Sequence, residues 1–205
     1  TETNLDVLKG YAKTHLLMTT GGSLSDAFKD ADNKLFASIL GITGEKTEQE
    51  IALELTIGSM SGYIEQMFAE KYFSPEAKKD VEHMVEQLIA TYEERIQSLD
   101  WMSETTKEKA IKKLDTMIVK IGYPDQWDTT LDQVAIKTYD EGGSLFSNTF
   151  SVLKAYMDDA KAKLGKPVDR TAWFTSVYTV NAFYNFLNND ITLPAGILQA
   201  PFYDI

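Results

Sequence analysis

The chain contains no cysteine and only two histidines in 205 residues. Without cysteine no disulfide framework can staple the fold, which favours a reducing compartment or a bacterial source over a vertebrate secreted protein. The two histidines, His15 and His83, belong to no His-x-x-x-His pair. His83 and Glu86 are three residues apart and share a helix face, but two ligands do not make a metal site. His15 reads as a packing residue at the edge of an apolar stripe. No apolar run approaches the roughly 18 residues that a membrane span needs, and no signal-peptide pattern opens the chain. Positive charge is also scarce: 20 Lys and Arg stand against 31 Asp and Glu, a net charge of -11. That balance argues against nucleic acid or an anionic membrane surface as a partner.

What is present is a globular composition, 43% hydrophobic and 25% charged, enough for one large or two small domains. The dominant period is helical. After Ser74-Pro75, a cap and first-turn pair, Val81, Met84, Val85, Leu88, Ile89, Tyr92, Ile96 and Leu99 form a stripe at spacings of three and four. A second helix is predicted from near Ser103 through Ile118 and Ile121, with Gly122 as its stop. Thr47 and Glu50 have capping-box spacing ahead of another helix. Ser23 can cap a helix that Gly41 ends, and residues 3–18 and 144–164 are further amphipathic candidates. Six helices and no internal repeat result.

The stretch after Trp173 changes texture. In "TVNAFY", Val180, Ala182 and Tyr184 would share one face of a strand, with Asn181 and Phe183 on the other. Asn185, Asn188, Asn189 and Asp190 supply turn chemistry before "ITLP" resumes as a second strand. The pair reads as a hairpin. The fold class expected is mainly α: a multi-helical domain with a short C-terminal β-hairpin, α+β overall.

No catalytic centre emerges from these residues. A Ser-His-Asp constellation has no histidine beside a nucleophile. Acidic pairs such as Asp158-Asp159 fit a solvated helix face, and "TTGGSLSD" lacks both the lysine and the preceding strand of a phosphate loop. From the residues alone, Asn181 is a strand-end residue, Ala182 a small packing residue, and Ile197 with Phe202 core.

Three blocks nevertheless resemble the neprilysin-type zinc metallopeptidases, a family that includes bacterial endopeptidase O. They are "LDWMSETTKEKAIKKLDTMIVKIGYPDQW" at 99–127, "LGKPVDRTAW" at 164–173, and "VNAFY" with "LPAGILQAPF" at 180–184 and 193–202. The blocks lie in the family order. The resemblance implies that Asn181 and Ala182 bind the backbone of a small peptide substrate lying along the strand edge, and that Ile197 and Phe202 help line an apolar pocket for the residue after the cleaved bond. It implies cleavage on the amino side of bulky apolar residues.

The same resemblance implies zinc in the full-length enzyme, held by a His-Glu-x-x-His helix expected beyond "PAGILQ". No catalytic or metal-ligating residue is expected in this chain, nor zinc bound to it. The expectation is an N-terminal part of a metalloendopeptidase, inactive alone, with residues 1–172 as the helical domain and 173–205 as the start of the catalytic domain. Bacterial cytoplasm is the expected compartment, with an extracellular site as the alternative. Self-association through the strand edge is a further expectation. The rival reading is a non-catalytic helical module that binds a peptide or protein strand.

Overall fold

The computed structural model describes residues 3–41 and 47–204. Among them are seven α-helices and three short strands, sorted into two compact units. One unit comprises residues up to Ser59 together with Thr129–Gly165; the other comprises Met60–Asp128 and the chain from Lys166 onward.

The first unit is helical: α1 (Leu5–Thr20), α2 (Asp26–Leu40), α3 (Glu48–Ser59) and α7 (Leu145–Lys163). Local chemistry sets the helix ends. The Glu50 carboxylate accepts from the Thr47 amide at 2.8 Å, and the Glu50 amide donates to Thr47 Oγ1 at 3.3 Å, so the capping box predicted there forms. Ser144 and Ser147 build a second box at the start of α7. The expected cap of α2 moves from Ser23 to Ser25, because a 3-10 turn over Gly21–Ser23 continues out of α1 and absorbs Ser23. Gly41 ends α2 at φ 69°, as its position suggests.

The second unit contains α4 (Ser61–Tyr72), α5 (Pro75–Ser98), α6 (Glu104–Asp115), β1 (Ile118–Gly122), β2 (Phe183–Asn185) and β3 (Asp190–Pro194). Ser74 caps α5 by accepting from the Ala77 amide at 3.1 Å. Helix α4 is not foreseen in the sequence, since only Met60 separates it from α3. The expected helix from Ser103 to Ile121 is corrected: it ends at Asp115, and Ile118–Gly122 is a strand. The Thr116 hydroxyl bonds Lys112 O at 2.8 Å and closes the last turn. Ile118 and Ile121 fit a helical spacing and Val119 and Ile121 a strand spacing, so local periodicity does not decide; pairing with β3 does.

The strands form one sheet in the order β1-β3-β2, with β1 parallel and β2 antiparallel to β3. The hairpin expected near the C-terminal end is therefore present, but β2 starts only at Phe183. The register places Val119, Ile121, Ile191 and Leu193 on one face, and Lys120, Asp190, Thr192 and Phe183 on the other. The first face packs on α5, where Ala77, Val81 and Val85, with Phe73 from the end of α4, meet Ile121 and Ala195 in the core of this unit.

Gly122 is positioned by this core. Its φ is +70°, and a Cβ there would lie 2.3 Å from the Phe73 ring. Gly122→Ala is expected to destabilise by about 2–4 kcal/mol, combining left-handed strain with overpacking. Gly10→Ala, in α1 with nothing within 4 Å of the added methyl, is expected to stabilise by about 0.5–1 kcal/mol. Urea denaturation of the two variants checks the contrast.

Candidate functional site

The second face of the sheet is polar and sealed. Lys120 Nζ lies 2.9 Å from Asp190 Oδ2, with side-chain exposures of 4% and 1%. The same ammonium donates to Ala172 O at 2.8 Å, drawing the loop before β2 across this face. Phe174 meets Phe183 edge-on at 5.2 Å between ring centroids, and Val177 is fully buried. Val177 O accepts from the Gly196 amide at 2.8 Å, so residues 177–179 run beside the segment after β3. A side chain at position 196 would collide with Tyr178 O at 2.4 Å, which explains the glycine.

Glu65 of α4 holds the middle of this loop. Its carboxylate accepts from the Val177 amide at 3.3 Å and from the Ser176 side chain. Burial pushes its pKa above the usual carboxylate value, and the two hydrogen bonds only partly offset that.

Out of this anchored loop the chain emerges through Val180, Asn181 and Ala182, all exposed, and enters β2. Asn181 Oδ1 accepts from the Ala182 amide at 2.8 Å. Strand β2 is the last in the sheet, and its outer margin pairs with no strand among the described residues. Asn181 and Ala182 thus sit side by side immediately before the strand whose outer margin is free.

Ile197 and Phe202 lie on the segment after β3. Gln199 fastens that segment to Tyr72 O and Ala195 O, both at 3.0 Å, and the Tyr203 hydroxyl donates to Asp80 at 2.9 Å. Leu198 and Tyr203 pack against the core, which leaves Ile197 half-buried and Phe202 73% exposed. The core alternative for Phe202 is therefore overturned. No hydrogen bond or ring contact joins either residue to Asn181 among the described residues. On the opposite face, a depression of about 280 Å³ lies beside Tyr184, lined by Ile96, Ala110, Leu114 and Met117 with Lys113 and Asn189.

The remaining candidates stay on the surface. His83 Nδ1 is 3.8 Å from Glu86 on an exposed face of α5, and the His15 ring contacts Tyr11 in exposed α1. Asp158 pairs with Lys154 and Lys161, and Asp159 with Lys163, along α7. The Lys154 hydrogen bond holds the Asp158 carboxyl below the usual range. The residues that the sequence does not reveal as site-building are Lys120, Glu65 and Arg170: each acts on a partner at least 18 residues away, and no local pattern marks such a pair.

The family model described as "Peptidase family M13" matches residues 1–124, more than half of the chain. A neutral endopeptidase of Lactobacillus helveticus is 38% identical over 205 residues, covering 98% of this chain and 31% of that protein. The open state of the Mycobacterium tuberculosis zinc metalloprotease Zmp1 superposes with a TM-score of 0.83 at 30% identity, over 99% of this chain and 31% of the other. PepO from Lactobacillus rhamnosis gives 0.66 at 31% identity, over 92% and 29%. The chain belongs to peptidase family M13. It spans about a third of the length of the relatives it matches.

The residues described here do not fit a zinc centre of their own. Among them no three His, Asp or Glu side chains converge where a metal ion could be held.

The raised pKa of Glu65 carries a sign. Folding favours the protonated acid, so its contribution is complete below the unperturbed value of 4.5 and is lost as pH rises through the higher folded value. Glu65→Gln keeps an acceptor for Val177 without the charge. Urea midpoints for the two proteins are expected to diverge in favour of the variant as pH climbs from 4.5 towards 7; parallel pH profiles would contradict this.

Proposed function

We propose that this chain is the helical and substrate-edge portion of a zinc-dependent metalloendopeptidase that cleaves small peptides on the amino side of bulky apolar residues. The observation that carries this reading is the free margin of β2, entered through exposed Asn181 and Ala182. An extended peptide laid along such a margin supplies ladder hydrogen bonds from its main chain, so recognition tolerates varied side chains. Asn181 Oδ1 is already engaged by the Ala182 amide. Its Nδ2 is therefore the group offered to a peptide carbonyl, with Oδ1 becoming available when Ala182 turns its amide to the ligand.

Ile197 and Phe202 would contribute to the pocket for the residue after the cleaved bond. Burying an apolar side chain there favours binding at roughly 0.8 kcal/mol per methylene. In this reading residues 1–172 belong to the helical domain and 173–205 open the catalytic domain, with zinc and the hydrolytic groups carried by polypeptide beyond Ile205. The likeness to Zmp1, a zinc metalloprotease, supports that assignment. A bacterial cytoplasmic setting, and self-association of the isolated chain through its open edge, complete the proposal.

Two measurements test it. Residues 1–205 alone are expected to bind no stoichiometric zinc and to cleave no fluorogenic peptide, while a protein continued through the zinc-binding helix does both; zinc-dependent cleavage by the short chain refutes the division of labour. In the longer protein, Asn181→Ala is expected to lower kcat/KM by about 5- to 150-fold, the equivalent of about 1–3 kcal/mol. An unchanged kcat/KM removes Asn181 from the peptide site.

A further inference from the structure

Strand β2 has three residues and makes three cross-strand pairs with β3, too little to hold a hairpin in place unaided. The turn that joins them carries two solvent-facing apolar residues, Phe186 and Leu187, at 77% and 86% exposure. Beyond that tip, Asn188 and Asn189 are tied down from two sides. Arg170 donates through Nε to Asn188 Oδ1 at 3.3 Å and through Nη2 to Asn188 O at 2.7 Å. Asn188 Nδ2 returns a bond to Arg170 O at 3.0 Å and also donates to the buried Asp190 carboxylate. The Arg170 fork reaches in addition to Thr116 O, 3.2 Å away at the end of α6.

Asn189 completes the clamp. It sits at φ 51°, a conformation asparagine tolerates better than most residues, and its Nδ2 donates to Lys113 O at 2.8 Å. Its Oδ1 accepts from the Tyr184 hydroxyl of β2 at 3.0 Å. Arg170 and Ala172 thus fix the start of the segment that leads to Asn181, and Asn188 and Asn189 fix the entry to β3 on its far side.

We propose that Arg170 is a positioning residue for the peptide-binding edge: through Asn188 it sets the level of β2, and hence the level at which Asn181 and Ala182 present themselves to a peptide backbone. The inference rests on the reading of β2 as the substrate edge. Arg170 does not touch peptide or reacting atoms. It acts through planar, multiply bonded geometry, which a lysine cannot reproduce even though it keeps the charge.

The test uses the full-length peptidase and a fluorogenic peptide with a bulky apolar residue after the cleaved bond. Arg170→Gln, Arg170→Lys and Asn188→Ala are each expected to raise KM by about five- to tenfold while kcat stays within about twofold, since only edge binding is weakened. A purely structural role would instead lower the active fraction and leave KM alone. In the 205-residue chain, Arg170→Gln is expected to speed amide exchange of residues 182–185 by at least about tenfold without changing the α5 core. Unchanged KM in the Arg170 and Asn188 variants, with KM raised by Asn181→Ala, overturns the positioning role and leaves the edge reading standing. Unchanged KM in Asn181→Ala as well overturns the edge reading, and this inference with it.

Discussion

The buried ion pair between Lys120 and Asp190 is the constraint on which the sheet depends. Two charges removed from water are tolerated only when each is paired and further hydrogen-bonded, and here Ala172 O and the Asn188 amide provide those additional bonds. The pair crosses from β1 to β3, so it fixes which strands lie together as well as how the covering loop returns. Around it, Asp190 Oδ1 and Thr192 Oγ1 are buried and have no hydrogen-bond partner among the described residues. The site thus already carries unmet acceptors, and removing Lys120 would add an unpaired buried carboxylate, a change that costs about 3–5 kcal/mol in comparable pairs.

The two faces of the sheet divide the work. One gives α5 an apolar surface and supplies stability through burial. The other carries the buried Lys120–Asp190 pair beside the Phe174–Phe183 contact, and its directional bonds fix position more sharply than burial does. The peptide edge proposed at Asn181 grows out of the second face. That makes physical sense, because a binding edge has to be exposed and so cannot be held by its own burial; its geometry has to come from neighbours such as Glu65, Lys120 and Arg170.

The range of each interaction decides how much of the fold and site is legible in the sequence. Helix α5, with Ser74-Pro75 at its start and a strong apolar period, is legible, as are the Thr47–Glu50 box and the asparagine-rich turn, because each signal lies within a few residues. The strand near the C-terminal end is legible in part: the alternation in "TVNAFY" announces it, but it starts at Phe183, so Val180, Asn181 and Ala182 lie before it rather than in it. Strand β1 is not: "MIVKIG" satisfies helix and strand spacing alike, and the deciding partner lies about 70 residues onward, at Asp190–Pro194. The clamp around Asn188 is hidden for the same reason. Asparagines in a turn announce a turn, but nothing nearby announces the arginine that grips it.

Both compact units are assembled from separated stretches of chain, and the sheet inherits this. Ile118–Gly122 pairs in parallel with Asp190–Pro194, while Thr129–Gly165 is devoted to the other unit. Parallel pairing at such separation is slow to form because a long loop has to close first. During synthesis, then, β1 leaves the ribosome with its lysine uncompensated and both margins bare, and stays so until several dozen further residues have been translated. Because β3 is the central strand, the sheet has no stable intermediate of β1 alone: its assembly waits on the last of its strands to be made.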